Sequence, residues 1–458
     1  MDTPADASIR ATSSATMAGP AWLPDRWRQL LGDRLMRNVG WYSLAEAANR
    51  ITRLITAIVL ARALMPDEFG IAAIAITTFE IVSVLCMNGI GQAVVRARDD
   101  ELPALLNTAR RASWIVCLGA FVLQAVIGFI AAWAVGRPDV FWMILCLGLV
   151  YLTLPFGQIH AHLIVRDNRL HVLAGIAVVQ VAADNILTAI FAFSGFGAWA
   201  IVLPKLLTAP IWVIGMRRAQ SWKPDRSAGF APWRPLVRFS SAVIASELLV
   251  AARFNLDKVL VGAILGLEAL GIYYFIFNAG IGFSLSLTNS LAASVYPHLA
   301  ELASRPRAML ARYDQLMIRA AIPVAAIITI QGCLAVWYVP VVFGERWQPY
   351  AVLVACLCFS AVAKPVFDSA CQLLRAFGRP RLEVYASATL TVLALTALAG
   401  GLQFGLAAGV VTYMATVMVA QFAAAVAIRK WFGVQYPKAK GSGQEVAYAL
   451  TGTRATVP

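Results

Sequence analysis

Apolar residues along this chain come in long blocks, not in the two-residue alternation of a half-buried strand. A helix needs about 20 predominantly apolar residues to cross a bilayer. Windows of that kind fall at 39–61, 71–95, 112–135, 140–165, 172–194 and 197–215, and resume at 239–265, 270–296, 316–339, 349–374, 384–400 and 405–428. The pattern predicts an all-α integral membrane protein of about 12 transmembrane helices, six on each side of a polar, basic stretch. Its parts are a tail at 1–37, an N-lobe at 38–215, a linker at 216–238, a C-lobe at 239–428 and a second tail at 429–458. A transmembrane barrel would show short alternating segments instead, and these are missing.

The basic residues test that layout. With both tails and the even-to-odd loops on one side, that side holds 29 of the 38 Lys and Arg. Only Arg62, Arg137 and Arg346 fall on the other, and six lie within spans. This asymmetry is the positive-inside rule, and it puts both termini in the cytoplasm. It also changes how the formal charge of +14 is read. In a soluble protein such an excess suggests nucleic acid, whereas here it records insertion, and no nucleic-acid partner is expected. Composition agrees: 60% hydrophobic and 14% charged residues, with mean hydropathy +0.71, exclude a soluble globular enzyme and a disordered chain.

The first 37 residues are polar and basic without an apolar core before a cleavage site, so no cleavable signal peptide is expected. The outer loops, such as 136–139, 194–197 and 400–405, are too short to carry a catalytic domain. No phosphate-binding G-x-x-x-x-G-K-[ST] occurs, and neither a cofactor nor a metal is expected. The seven cysteines lie in apolar runs and read as small core residues. These features favour a carrier over an enzyme.

The halves also resemble each other. Ala63-Leu-Met-Pro-Asp-Glu-Phe-Gly70-Ile71 aligns with Ile264-Leu-Gly-Leu-Glu-Ala-Leu-Gly271-Ile272 at a displacement of 201, which also lays Glu46 over Glu247. Phe196-Gly197 and Phe404-Gly405 match at a displacement of 208. Six spans per half give both halves one orientation, hence a parallel repeat with the substrate path between them.

The runs Leu60-Ala-Arg-Ala-Leu-Met-Pro-Asp-Glu-Phe-Gly70, Asn88-Gly-Ile-Gly-Gln-Ala-Val-Val-Arg96, Phe196-Gly-Ala-Trp-Ala-Ile-Val202, Asn255-Leu-Asp-Lys-Val-Leu-Val-Gly262 and Leu270-Gly-Ile-Tyr273 resemble Wzx-type polysaccharide transporters. These belong to the multidrug/oligosaccharidyl-lipid/polysaccharide exporter superfamily. The resemblance implies two six-helix lobes around a central cavity in a bacterial inner membrane. It further implies alternating access and translocation of polyprenyl-pyrophosphate-linked oligosaccharide for exopolysaccharide, capsule or O-antigen synthesis. Partners would then be the lipid-linked oligosaccharide, membrane lipids and other polysaccharide assembly proteins. A cation-coupled multidrug exporter of the same superfamily is the alternative, and a membrane glycan polymerase or ligase a more distant one.

Ionisable groups within spans are costly and are functional candidates. Glu46, Arg50 and Arg53 share one face of the first span. Arg50 and Arg53 either attract the pyrophosphate, which guanidinium grips in bidentate fashion, or serve a structural pair with Glu46. Lys258, Lys205 and Lys364 are further head-group candidates. Arg253 with Asp257, and Lys364 with Asp368, have i,i+4 spacing and read as structural pairs, Lys364 standing in both readings. Pro204 and Pro365 lie beside the lysines, and Pro365 is expected to kink its helix. Glu80 and Asp184 have no basic neighbour on their own helices, which makes them, with Glu46 and Glu247, candidates for ion coupling. Trp337, Tyr338, Trp347 and Tyr350 cluster at span ends as an aromatic belt, and His160 and His162 are expected at the interface.

Overall fold

A computed structural model describes residues 52–87, 89–225, 227–302 and 305–436. Every regular element among them is helical. In chain order they are α1 (52–63), α2 (Pro66–Met87), α3 (Gly89–Arg96), α4 (Leu102–Val135), α5 (Pro138–Thr153), α6 (Pro155–Arg166), α7 (Leu170–Phe193) and α8 (Trp199–Ala219). After the mid-chain stretch come α9 (233–265), α10 (267–300), α11 (Pro306–Leu316), α12 (Ile322–Tyr338), α13 (Ala351–Ser360), α14 (Lys364–Ala376), α15 (Pro380–Leu402) and α16 (Leu406–Gln435). Among the described residues ten helices are long and apolar enough to cross a membrane, and an eleventh span results if α5 and α6, bent by 53°, count as one. Proline sets several starts, at the first turns of α4, α5, α6, α11, α14 and α15, where its missing N–H leaves no bond unmade.

α9 and α10 are continuous in hydrogen bonding but separated by Gly266, whose φ of 84° is open to glycine and costly for other residues. The Tyr273 hydroxyl donates to Asp257 Oδ2 at 2.9 Å. Residues sixteen apart on a straight helix would sit about 24 Å apart, so the chain folds back at Gly266 into a hairpin. The tenth predicted span is likewise interrupted. α13 stops at Ser360, a tight turn covers 361–363, and Pro365 stands in the first turn of α14, so the α-helix is interrupted at the expected place within a single candidate span. α8, by contrast, runs unbroken through Pro204 and Pro210.

The two repeated motifs meet. A Cβ added to Gly70 would lie 2.1 Å from the Leu267 carbonyl oxygen, and one added to Gly271 would lie 1.8 Å from that of Pro66. The displacement of 201 carries Pro66 to Leu267 and Gly70 to Gly271, so the contact is reciprocal. Reciprocity of that kind is the mark of a two-fold relation. It requires glycine because α2 and α10 touch main chain to main chain.

Around this crossing lies the largest apolar cluster. Trp347 is fully buried in it, stacked on Phe275 at 3.7 Å and edge-on to Phe69 at 5.6 Å, while Phe343 closes on Phe275 at 5.3 Å. The expectation of a belt therefore fails for Trp347. A span-end tryptophan looks alike in sequence whether it faces headgroups or a neighbouring helix, and its indole here donates to the Ala61 carbonyl at 2.7 Å. Trp337, by contrast, is 73% exposed.

The mid-chain stretch makes specific contacts with the helices. Asn107 donates to the carbonyls of Asp225 and Gly229 at 2.6 and 2.9 Å, Thr108 to that of Ala231 at 3.0 Å, and Arg111 lies 3.7 Å over the Phe230 ring. Trp222 packs against the cluster of Val94, Leu106 and Ile159. Residues 220–225 and 227–232 thus form a strap fastened across α4. Donation from Ser227 to the Asp225 carboxylate holds that group below the usual carboxylate range. His160 is buried within the protein, with Nδ1 2.7 Å from the Gln220 carbonyl oxygen at the strap's start.

Candidate functional site

Arg62 donates to the carbonyls of Val342 and Val341 at 3.0 and 2.8 Å, and Arg346 to that of Leu64 at 3.1 Å. Arg137 pairs with Asp139 at 2.8 Å and Asp67 at 3.3 Å, which holds its guanidinium above its ordinary value. The three basic residues set apart by the charge rule therefore latch one end of the bundle, just beyond the aromatic cluster.

Below that closure is a cavity of about 730 Å³ including its mouth, lined by Arg53, Asp184, Asn185, Thr188, Lys205, Tyr274 and Asn278 among others, with Phe69, Phe275 and Phe343 toward the closed end. We term it the N-half cavity. Arg53 is exposed within this wall, nine residues before Arg62 on α1, about 14 Å along the axis. For a hydrocarbon layer of about 30 Å, that depth is near the midplane. α1 is held to α7 by polar contacts: Thr56 donates to the Asn185 carbonyl at 3.1 Å, and the Asn185 amide to Thr52 Oγ1 at 3.2 Å.

Lys205 lies 3.3 Å from Asp184, both partly buried. This corrects the premise on which Asp184 was a coupling candidate, since the carboxylate has a cationic neighbour on the next helix. A separation of 21 residues hides such a pair from any search along one helix. The cavity's described ionisable lining thus has two cations for one anion.

A second cavity, about 740 Å³ with its mouth, lies among α9, α10, α13, α14, α15 and α16, and we term it the C-half cavity. Phe254, Asp257, Phe277, Lys364, Thr391, Tyr413 and Gln421 are among its walls. Lys364 pairs with Asp368 at 2.6 Å, as their spacing suggested. Lys258 lines neither cavity. Its ammonium is buried, bonded to the Phe254 carbonyl at 2.6 Å, 3.6 Å from Asp257 and 4.5 Å from the Phe277 ring centre. That network is structural, and it gives Asp257 a partner other than the one expected. The Arg253 side chain lies outside the described set, as do Glu46 and Arg50.

Glu80 is exposed on α2, within electrostatic range of the Tyr274 phenol in the N-half wall, while Glu247 is half-buried on α9 and lines neither cavity. Among the described residues no cluster of His, Cys, Asp and Glu has metal-binding geometry. A search confined to ionisable groups missed Asn185, Asn278 and Gln421. Their signal was a carboxamide inside an apolar span.

A family described as polysaccharide biosynthesis protein matches residues 59–352. The chain is similar to the succinoglycan biosynthesis transport protein ExoT of Rhizobium meliloti (strain 1021), at 24% identity over 52% of this chain and 48% of that protein, so it spans about half the length of that relative. It is similar as well to the lipopolysaccharide biosynthesis protein WzxC of Escherichia coli (strain K12), at 22% identity over 83% of this chain and 77% of the other. In fold it resembles the lipid II flippase MurJ in an inward closed conformation, with TM-score 0.63 and 9% identity, covering 90% and 95% of the two chains. An inward-facing multidrug resistance transporter of the MATE family and MOP superfamily gives TM-score 0.62 at 12% identity, covering 85% and 96%.

Proposed function

Because this chain belongs to the polysaccharide biosynthesis protein family, we propose that it is a Wzx-type flippase, moving polyprenyl-pyrophosphate-linked oligosaccharide across the bacterial inner membrane without itself catalysing a covalent step. The observation that carries the reading is the N-half cavity, where Arg53 and Lys205 converge near mid-bilayer beneath an aromatic closure. Guanidinium and ammonium in a low-dielectric wall attract a pyrophosphate strongly, and the Asp184 carboxylate keeps Lys205 compensated until the anion arrives.

In this reading twelve helices form two six-helix lobes related by the Gly70–Gly271 crossing, with both termini in the cytoplasm. The Arg62 latch then faces the periplasm, and the described state receives substrate from the cytoplasmic side. Binding of the head group draws the lobes together around it, the crossing separates, and the oligosaccharide leaves outward while the lipid tail stays in the bilayer. A multidrug exporter for cations would need an acidic surplus in the cavity, and the described lining has the opposite balance.

Deletion of the gene tests the function directly. The lipid-linked repeat unit should accumulate on the cytoplasmic leaflet, and restoring the intact chain should clear it. Undisturbed delivery to the periplasmic leaflet in the deletion strain would overturn the proposal.

A further inference from the structure

The displacements that join the two halves also join the two cavities. A shift of 201 carries Arg53 to Phe254 and Thr56 to Asp257, and in each case the first residue lines the N-half cavity and the second the C-half cavity. In the last two helices of each half the shift is 207–208, taking Asp184 to Thr391, Thr188 to Leu395 and Lys205 to Tyr413. Again each pair divides between the cavities. The cavities are therefore counterparts within the repeat, sharing corresponding walls.

Their chemistry has parted. Where one wall presents a guanidinium, a carboxylate and an ammonium, the other presents a phenyl ring, a hydroxyl and a phenol. The charges that remain in the C-half wall are already compensated: Lys364 by Asp368 at 2.6 Å, and Asp257 by Lys258 at 3.6 Å and the Tyr273 hydroxyl at 2.9 Å. Gln421, 5% exposed, keeps an amide oxygen that meets no donor among the described residues. Burying such a group without a hydrogen bond is unfavourable, so the wall favours a ligand that brings hydroxyl donors. An anion gains little there. A neutral polyhydroxylated ring, with apolar C–H faces for the aromatic walls and hydroxyls for the amide and carboxylates, fits both features.

Placement favours one ligand reaching both sites. Tyr274, Phe275, Asn278 and Ala279 of α10 face the N-half cavity, and Phe277 and Ile281 the C-half cavity. At 100° per residue these are neighbouring faces, roughly 110° apart. We propose that the C-half cavity is a glycan subsite that receives neutral sugar of the lipid-linked substrate while the N-half cavity holds its pyrophosphate. This rests on the flippase reading and deepens it.

The test is calorimetric titration of the purified full-length chain with three probes. These are inorganic pyrophosphate, the repeat-unit oligosaccharide released from its carrier by mild acid, and glucose. Gln421→Leu and Tyr413→Ala should each weaken oligosaccharide binding about tenfold, the worth of one buried polar contact, while pyrophosphate affinity stays within twofold, which also reports that the variants are folded. Lys205→Met should do the reverse. Parent-like oligosaccharide binding by the Gln421 and Tyr413 variants would overturn the subsite. So would a parent chain that binds pyrophosphate but no oligosaccharide, or that binds glucose as tightly as the oligosaccharide. None of these results touches the flippase reading, which the deletion experiment decides by itself.

Discussion

Replacing Gly271 by alanine should open the end of the protein that the Arg62 latch closes. The new methyl carbon would stand 1.8 Å from the Pro66 carbonyl oxygen and 2.7 Å from the Gly70 nitrogen, where ordinary contact begins at 3.4 Å. The obstacles are backbone atoms, which cannot rotate away, so α2 and α10 must part by about 1.6 Å at the crossing. Inserting a methyl group into a packed site costs about 1–3 kcal/mol. A conformation in which the crossing is already apart escapes that penalty. A mid-range value of about 2 kcal/mol therefore shifts the balance toward the open form about 30-fold. The assay is labelling of a Phe343→Cys reporter by a membrane-impermeant maleimide added from the periplasmic side, with and without Gly271→Ala. Phe343 is 4% exposed behind the closure, so the parent should label slowly and the alanine variant about 30 times faster. Equal labelling rates in two folded proteins would refute the reasoning, because the crossing would then not govern closure. Gly70→Ala, its counterpart across the two-fold relation, should give the same change.

Three other outcomes follow from the geometry. Lys258→Ala leaves the buried Asp257 carboxylate without its cation and should cost about 3–5 kcal/mol of stability, read as a lowered thermal transition in detergent, with much of the loss recovered in Lys258→Met/Asp257→Asn. Asn107→Ala removes two of the strap's carbonyl contacts, those of Asp225 and Gly229, and limited proteolysis within 220–232 should accelerate several-fold while the helices resist. Arg53→Ala should slow transport of lipid-linked oligosaccharide in proteoliposomes by about tenfold or more without changing insertion or thermal stability, and parent-like flux would remove Arg53 from the head-group site.

Membrane spans were legible because a bilayer demands length and apolarity that can be counted residue by residue, and eleven of the twelve predicted windows coincide with described helical stretches. The window at 39–61 lies mostly outside the described residues. The Gly70–Gly271 alignment was visible as a repeat, yet nothing in it announced that the two glycines touch, since internal similarity carries no information about distance. Local pairs such as Lys364–Asp368 were readable because i,i+4 spacing imposes proximity on a helix. Asp184–Lys205 was not, as it depends on the packing of α7 against α8. Lys258 looked like a ligand because a lysine in a span is conspicuous. Its bonds to Phe254 and Asp257 are local to α9, and the Phe277 ring joins them only once the hairpin at Gly266 brings it alongside.

The latch at the closed end has a property that bears on how this protein can change over generations. Arg62, Arg346 and Trp347 all donate to main-chain carbonyls, those of Val341, Val342, Leu64 and Ala61. A carbonyl is present whatever side chain a codon specifies. Mutational drift at the exposed Val341 and the half-buried Val342 can therefore alter size and polarity without deleting an acceptor, while Ala61 and Leu64 are held by core packing besides. Loss of any one of the three donors, in contrast, removes a bond outright. Closure is thus insulated from much of the variation that would accompany adaptation to a new glycan. The tolerance is one-sided, and deep mutational scanning of this end should find three intolerant donors facing two permissive acceptors, Val341 and Val342.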